Sequence, residues 1–251
     1  MFDPILDVLK TFGTYFLQIL ICIPCGIIAV SARNYVQGIT AYLLGDKSIK
    51  ETGRLSLNPI KHIDPVGFLC LALFRFGWAS PVPYNKKNFK HPKLGVILIF
   101  LVGTLANLIV GFIFTFILCL MVYRSGNTYP VYAAFVDIPF KLFGEFGTKL
   151  GSFAFDLTVN IIQSCCMLNL TIMVFSFIPL PPLDGFSLLS LILPKHSVRM
   201  FWRNEQYFSL GLLVVLFIDR YFTGYVNFAF GNAVNFFIEK CFQPIIEFII
   251  Y

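Results

Sequence analysis

Three long apolar stretches limit what this chain can fold into more than any other feature. They cover residues 12–32, 94–123 and 152–179. A helix needs about 20 mostly apolar residues to cross the hydrocarbon core of a bilayer, and each stretch reaches that length. Only 13% of the residues are charged, roughly half the proportion in soluble domains. The sequence therefore predicts an all-α polytopic membrane protein with three main transmembrane helices.

The remaining apolar segments are shorter or interrupted by charge. Residues 66–78 are too few to span upright and predict a re-entrant helix, which is permitted where protein covers its backbone. Residues 207–222 predict a fourth, shorter span with Asp219 and Arg220 near its end. Residues 226–251 contain charges and a proline, so they predict either an interfacial amphipathic helix or a poor final span. No repeat or linker divides the chain, and residues 1–251 are expected to form a single membrane domain.

Basic residues cluster in the loops between the apolar stretches. The positive-inside rule places such loops in the cytoplasm, so we expect a multi-pass protein of the cell membrane with its N-terminus outside. The net charge of +6 then reflects topology and attraction to anionic lipid. No basic-aromatic module is visible, which argues against nucleic-acid binding. The clusters are Lys47, Lys50, Arg54 and Lys61; Lys86, Lys87, Lys90 and Lys93; and Lys195, Arg199 and Arg203.

Three motifs stand in a characteristic order along the chain. Residues 33–37 read RNYVQ, residues 53–65 read GRLSLNPIKHIDP, and residues 179–185 read PLPPLDG. Together they resemble the site-2 protease family, intramembrane zinc metalloproteases of the compact bacterial type. The resemblance covers residues 21–193. It implies a site-2-protease-like core over residues 12–193, followed by a C-terminal part over residues 194–251.

The resemblance also implies where a metal site would lie. The family carries His-Glu-x-x-His, in which two histidines bind zinc and the glutamate acts as general base, and a distant aspartate completes the ligands. The histidine positions here hold Arg33 and Gln37, the base position holds Asn34, and the aspartate is Asp184. Arginine offers no lone pair and asparagine cannot relay a proton. These residues predict neither bound zinc nor a functional catalytic residue, although active relatives use zinc.

Further departures from the family pattern occur on the other apolar stretches. The family has Gly-Pro-x-x-Asn where this chain has Thr104 in place of proline and keeps Asn107. Ser176 replaces a usual asparagine, whereas Asn169 is retained. We expect Asn107, Asn169 and Ser176 to be supporting polar positions in the core. None of the histidines has a partner at ligand spacing, so no relocated zinc site is expected; they are His62, His91 and His196.

The retained Asp184 needs a partner, because an unpaired carboxylate within a membrane protein is costly. The sequence predicts an ion pair between Arg33 and Asp184, in which a guanidinium replaces the zinc cation. Asn34 and Gln37 would supply hydrogen bonds on the same helix face. In the alternative, Arg33 reaches the cytoplasmic headgroups and Asp184 is hydrated or protonated.

Two loop segments carry predictions of their own. Arg54–Asn58 alternates polar and apolar residues, which predicts a short, half-buried, membrane-associated β-strand. The resemblance implies that in active members this strand holds an unwound substrate helix by strand addition. Trp78–Asn85 contains two prolines and is expected to be extended and stiff.

Two functions stay open at this point. The favoured one is a catalytically inactive relative that binds transmembrane helices of other proteins, or that acts as a subunit or regulator of a membrane complex. The alternative is a zinc-dependent intramembrane metalloprotease that cleaves transmembrane substrates. The expected partners are the lipid bilayer and transmembrane helices of other membrane proteins.

Overall fold

The computed structural model describes residues 3–56, 58–74, 77–124 and 153–250, and these fold mainly into helices. Three of the helices are long and apolar enough to cross a membrane, which confirms the prediction of an all-α polytopic membrane protein. The α-helices are α1 (Asp3–Leu43), α2 (Pro65–Phe74), α3 (Pro92–Arg124), α4 (Phe153–Phe175), α5 (Gly185–Leu189), α6 (Lys195–Arg203), α7 (Glu205–Ile218), α8 (Tyr225–Phe236) and α9 (Gln243–Ile250). Shorter 3-10 turns cover Lys47–Lys50, Pro59–Lys61 and Lys86–Asn88, and π-turns cover Asp219–Thr223 and Phe237–Phe242.

The candidate spans lie on α1, α3 and α4, and these helices pack against one another. Lipid tails are as apolar as leucine, so helices in a bilayer associate through close packing more than through hydrophobic burial. Glycines provide that closeness here. A Cβ at Gly111 of α3 would lie 3.1 Å from Leu170 Cδ2 of α4. A Cβ at Gly26 of α1 would lie 2.3 Å from Leu71 Cδ2, so α2 also sits directly against α1.

Helix α1 extends well beyond the apolar stretch that predicted it. The sequence places its end near residue 32, but the helix continues to Leu43, and its candidate span covers Phe16–Leu43. The apolar run stops at Arg33, yet that side chain is only 3% exposed and lies inside the protein. Helix α1 ends instead at a turn where Gly45 has a φ of +117°, a backbone conformation that favours glycine. The motif at residues 33–37 is therefore entirely helical.

The strand predicted over Arg54–Asn58 is wrong for the described part of that segment, and Leu57 lies outside the described residues. Residues 54–56 form turns that follow Gly53, whose φ is +71°. The backbone of Arg54 packs on α1, where a Cβ at Gly38 would lie 3.1 Å from its carbonyl oxygen. An isolated antiparallel bridge pairs Ile63 with Ala79 nearby. The alternating pattern thus reflects half-burial against a helix and not a strand ladder.

Helix α2 contains ten residues and is about 15 Å long at 1.5 Å per residue, too short to cross a bilayer. The chain then passes through the described residues of Trp78–Asn85 without helix, as the prolines predict. Helices α7, α8 and α9 are each shorter than a span. Asp46 fixes the loop beyond Asn85 to the end of α1, since it accepts hydrogen bonds from the Asn85 N–H at 2.6 Å and from Asn88 Nδ2 at 2.8 Å.

Candidate functional site

A cluster of buried polar side chains joins α1 to the turn before α5. Arg33 on α1 and Asp184, the last residue of that turn before α5, come into direct contact. The Arg33 Nε donates to Asp184 Oδ2 at 3.1 Å, and Nη2 donates to the same oxygen. Arg33 is 3% exposed, whereas the Asp184 side chain is 19% exposed. Each charge loses much of its hydration on folding, so the ion pair depends on close hydrogen-bond geometry to offset that cost.

Gln37 reaches the same carboxylate oxygen from one helical turn further along α1. Its Nε2 donates to Asp184 Oδ2 at 2.6 Å. Gly103 of α3 makes room for this side chain, since a Cβ there would lie 2.3 Å from Gln37 Nε2. The spacing of four residues puts Arg33 and Gln37 on one face of α1. Both side chains therefore direct N–H donors at Oδ2.

Asn34 points away from the carboxylate and contacts the loop that follows α2. Its Nδ2 donates to the Ser80 carbonyl oxygen at 2.9 Å and lies 3.4 Å from the His62 carbonyl oxygen. The Ser80 N–H donates in turn to the His62 carbonyl oxygen at 3.0 Å. The residue at the family's base position thus connects α1 to the loop, and the structure does not bring it to Asp184.

Two of the three supporting polar positions touch Arg33. Its Nη1 donates to Ser176 Oγ at 2.5 Å. The Asn107 amide, oriented from its hydrogen-bond partners, accepts from Nη1 at 3.2 Å and donates to the Ala29 carbonyl oxygen at 3.1 Å. Asn169 does not join this cluster and donates to the Cys165 carbonyl oxygen on its own helix at 2.7 Å. Ser176 and Asn107 therefore fix the guanidinium in the plane that faces Asp184.

A cavity of about 700 Å³ opens beside the cluster. Asp184 and Gln37 lie on its wall, and the hydrogen bonds that Asp184 accepts all go to Oδ2, so its Oδ1 has no donor among the described residues. The loop from Ser80 to Lys87 forms one side, and α3 contributes apolar side chains. Other lining residues are Arg54, Val96, Ile99, Phe100, Ser187, Ser190, Val198, Trp202 and Glu205.

The residues at the family's metal positions do not fit a zinc ion. Zinc is bound by neutral imidazole, thiolate and carboxylate, whereas here a permanently cationic guanidinium contacts the carboxylate. Within the described residues, no group of three His, Cys, Asp or Glu side chains could hold a metal ion. His62 is buried with Nε2 at 2.5 Å from the Ser56 carbonyl oxygen, and burial lowers its pKa. His91 and His196 are exposed.

Sequence reasoning missed several residues of the cavity wall. Burial raises the pKa of Tyr84 to about 12, a hydrogen bond with Ser187 opposes that rise, and the charge of Asp184 adds to it. Burial also raises the pKa of Glu205, with a further rise from the charge of Asp64. Glu205 lies at the first position of α7, far along the chain from every motif. No pattern in the sequence links it to Asp184, so only the fold could identify it.

The chain is similar to the protein of Bacillus subtilis (strain 168) that is described as "Putative zinc metalloprotease YwhC". The two are 32% identical over 221 residues, which is 88% of this chain and 90% of the relative. No family model matches the chain. No solved structure matches it.

Proposed function

The chain belongs to the site-2 protease family of membrane proteins, and from that premise we propose that it is a non-catalytic member that binds transmembrane segments of other membrane proteins. It would act as an adaptor, regulator or subunit of a membrane complex. The contact of Arg33 with Asp184 carries this proposal. A cation that is part of the chain lies against the acid on which the family's metal depends.

Electrostatics explains why the guanidinium and a zinc ion exclude each other at this position. Arginine is a permanently cationic side chain, so a divalent ion beside Asp184 would face a fixed positive charge a few ångströms away. Displacing Arg33 would also break its hydrogen bonds to Ser176 and Asn107. The site therefore favours the ion pair over the metal.

The cavity supports the binding half of the proposal. Its apolar side is formed by Val96, Ile99 and Phe100 of α3, and its polar side by the loop around Pro81–Asn85. A transmembrane segment entering this cavity would meet an apolar wall along its side chains and polar groups at its end. Binding of that kind requires no metal. We also propose that the protein lies in the cell membrane with its N-terminus outside, since the basic loops favour that topology.

The second candidate is a zinc-dependent intramembrane metalloprotease. The similarity to the Bacillus subtilis relative, described as a "Putative zinc metalloprotease", favours it. In this chain it would need Arg33 to leave Asp184 and ligands other than those at the family positions.

Metal analysis of the purified protein separates the two candidates. The protein is dialysed against a slight molar excess of zinc, passed through a desalting column and measured by inductively coupled plasma mass spectrometry. We expect no more zinc than in an Asp184→Ala variant treated identically. About one zinc per chain in the wild type, lost in Asp184→Ala, would overturn the non-catalytic proposal and favour the protease.

Photo-crosslinking tests the binding half directly. A photoreactive amino acid at Val198, which lines the cavity, should crosslink in native membranes to an intact transmembrane segment. The same amino acid at Ile192, which is 84% exposed and is not a lining residue, serves as the matched control. Equal crosslinking from both positions, or crosslinked fragments cut within their transmembrane segment, would contradict the proposal.

A further inference from the structure

The cavity beside Asp184 carries positive charge that the protein itself does not neutralise. Arg54, Lys86 and Lys87 line it, and none of them forms an ion pair with an acid of the described residues. Asp184 is already paired with Arg33. Glu205 remains as the opposing acid of the lining, so the cations are in excess by two.

Arg54 is the cation best placed to bind a ligand. Its Nη2 donates to Ser80 Oγ at 2.8 Å, and its Nη1 lies 3.4 Å from the Ser80 carbonyl oxygen. These contacts fix the guanidinium on the loop while leaving N–H donors unused, because arginine has five. Burial lowers the pKa of Arg54, which indicates that the surroundings do not compensate its charge. An anion in the cavity would supply that compensation through paired hydrogen bonds.

An apolar part of the cavity wall is formed by side chains of α3. Val96 and Ile99 are buried there, next to Phe100. Helix α6 closes another side with Val198 and Trp202. An anionic head with an apolar tail matches both the charged loop and this wall. Basic pockets between transmembrane helices commonly bind lipid headgroups of that kind.

Helix α6 has the character of a helix that lies at a membrane surface. Its aromatic residues pack inward, with the Phe201 and Trp202 ring centroids 5.2 Å and 5.5 Å from that of Phe186. Its basic residues Lys195 and Arg199 are exposed. Exposed basic residues beside aromatic residues that pack inward are typical of interfacial helices. The cavity therefore opens beside a segment suited to the depth of phospholipid phosphates.

We propose that Arg54 binds the phosphate of an anionic membrane phospholipid, whose acyl chain lies along the apolar wall of α3. Lys86 and Lys87 add attraction without direct burial. The lipid contacts neither the Arg33 guanidinium nor a metal, so the site works whether or not the chain is catalytic. It goes beyond the binding of a transmembrane segment. The lipid and such a segment would use the same wall of α3, so they would occupy the cavity one at a time.

Native mass spectrometry of the delipidated protein, titrated with phosphatidylglycerol in detergent, tests the proposal. We expect one retained phosphatidylglycerol per chain and at least about tenfold weaker retention of phosphatidylcholine, which has no net charge. Arg54→Gln should weaken retention of phosphatidylglycerol by about tenfold, since it removes the charged, paired donors. The retention of phosphatidylglycerol by Arg54→Lys should lie between that of the wild type and that of Arg54→Gln, because lysine keeps the charge but lacks the paired N–H donors of arginine.

Lys90→Gln is the matched control, since Lys90 is an exposed cation of the loop that carries Lys86 and Lys87 and does not line the cavity. It should retain phosphatidylglycerol within about twofold of the wild type. Equal weakening in Arg54→Gln and Lys90→Gln would overturn the proposal, because the attraction would then come from net charge alone. Competition by millimolar inorganic phosphate, or by an acidic peptide, as strong as that by the lipid would overturn the assignment to a phospholipid. Circular dichroism of Arg54→Gln and Arg54→Lys checks that both retain wild-type helix content, and if Arg54→Gln unfolds, Arg54→Lys decides alone.

Discussion

Arg33 and Asp184 lie 151 positions apart, and the guanidinium of the first donates two hydrogen bonds to a single oxygen of the second, Oδ2. The pair connects α1 to the turn that follows α4. Both charges have lost much of their hydration, so removing one partner leaves the other uncompensated. We therefore expect the loss of one partner to lower the stability of the protein more than the loss of one partner in a surface ion pair would.

Arg33→Ala should lower the free energy of unfolding by about 3 kcal/mol, because it strands the Asp184 carboxylate. Adding Asp184→Asn should recover part of that loss, since the stranded charge disappears with it. Unfolding in detergent with increasing denaturant, followed by circular dichroism, measures both variants. Arg203→Ala, which removes an exposed arginine, should change stability by less than about 1 kcal/mol. A double variant no more stable than Arg33→Ala would show that the charges are not coupled.

Gly103→Ala should destabilise the protein by about 1 to 3 kcal/mol, because its Cβ would lie 2.3 Å from Gln37 Nε2 and force Gln37 away from Asp184. Gln37→Ala in the same chain should relieve the clash. Gly211→Ala on α7 is the matched control, since nothing lies within 4 Å of its Cβ and alanine favours a helix. Thermal unfolding measures all three. An equal effect of Gly103→Ala and Gly211→Ala would argue against the packing of Gln37 on Gly103.

Asp46 should make folding stability depend on pH. Burial of Asp46 opposes its ionisation, but hydrogen bonds from Ser48, Asn85 and Asn88 outweigh burial and hold its pKa below the ordinary value. A carboxyl whose pKa is lowered on folding stabilises the protein above its unfolded pKa, and that stability is lost as pH falls through the folded pKa. Asp46→Asn should therefore be less stable near pH 7 and lose less stability on acidification to about pH 3.

The control for that profile is Glu51→Gln, which removes an exposed acid five residues later. Its stability should fall with acid as steeply as that of the wild type. If the stability of Asp46→Asn fell with acid as steeply as that of the wild type, other carboxyls would govern the acid sensitivity.

The long apolar stretches were sufficient to predict the membrane class and the three main helices, because span length is set by the bilayer. They misplaced the end of α1 at Arg33. Hydropathy cannot show that this charged residue is buried inside the protein, because its partner Asp184 lies 151 positions away. The alternation of polar and apolar residues over Arg54–Asn58 predicted a strand wrongly for a related reason. A turn half-buried against Gly38 gives the same pattern as a strand.

The family resemblance predicted that Arg33, Gln37 and Asp184 lie at one site. The idea that they replace a metal ion is still a prediction. It could not place Arg54 and Glu205 on one cavity. Arg54 reaches that cavity through a turn, and Glu205 through the packing of α7. Such positions depend on how loops return to the helices, for which a single sequence holds no periodic signal.

Restoring the family's residues at three positions should show whether the scaffold can still hold a metal. In the variant Arg33→His, Asn34→Glu, Gln37→His, two imidazoles lie one turn apart on α1, on the face that meets Asp184. Two histidines and a carboxylate form a zinc donor set, and the repelling guanidinium is gone. We expect about one tightly bound zinc per chain by plasma mass spectrometry, lost again when Asp184→Ala is added. Zinc retained without Asp184, or no zinc in the triple variant, would show that the three positions no longer converge as a metal site requires.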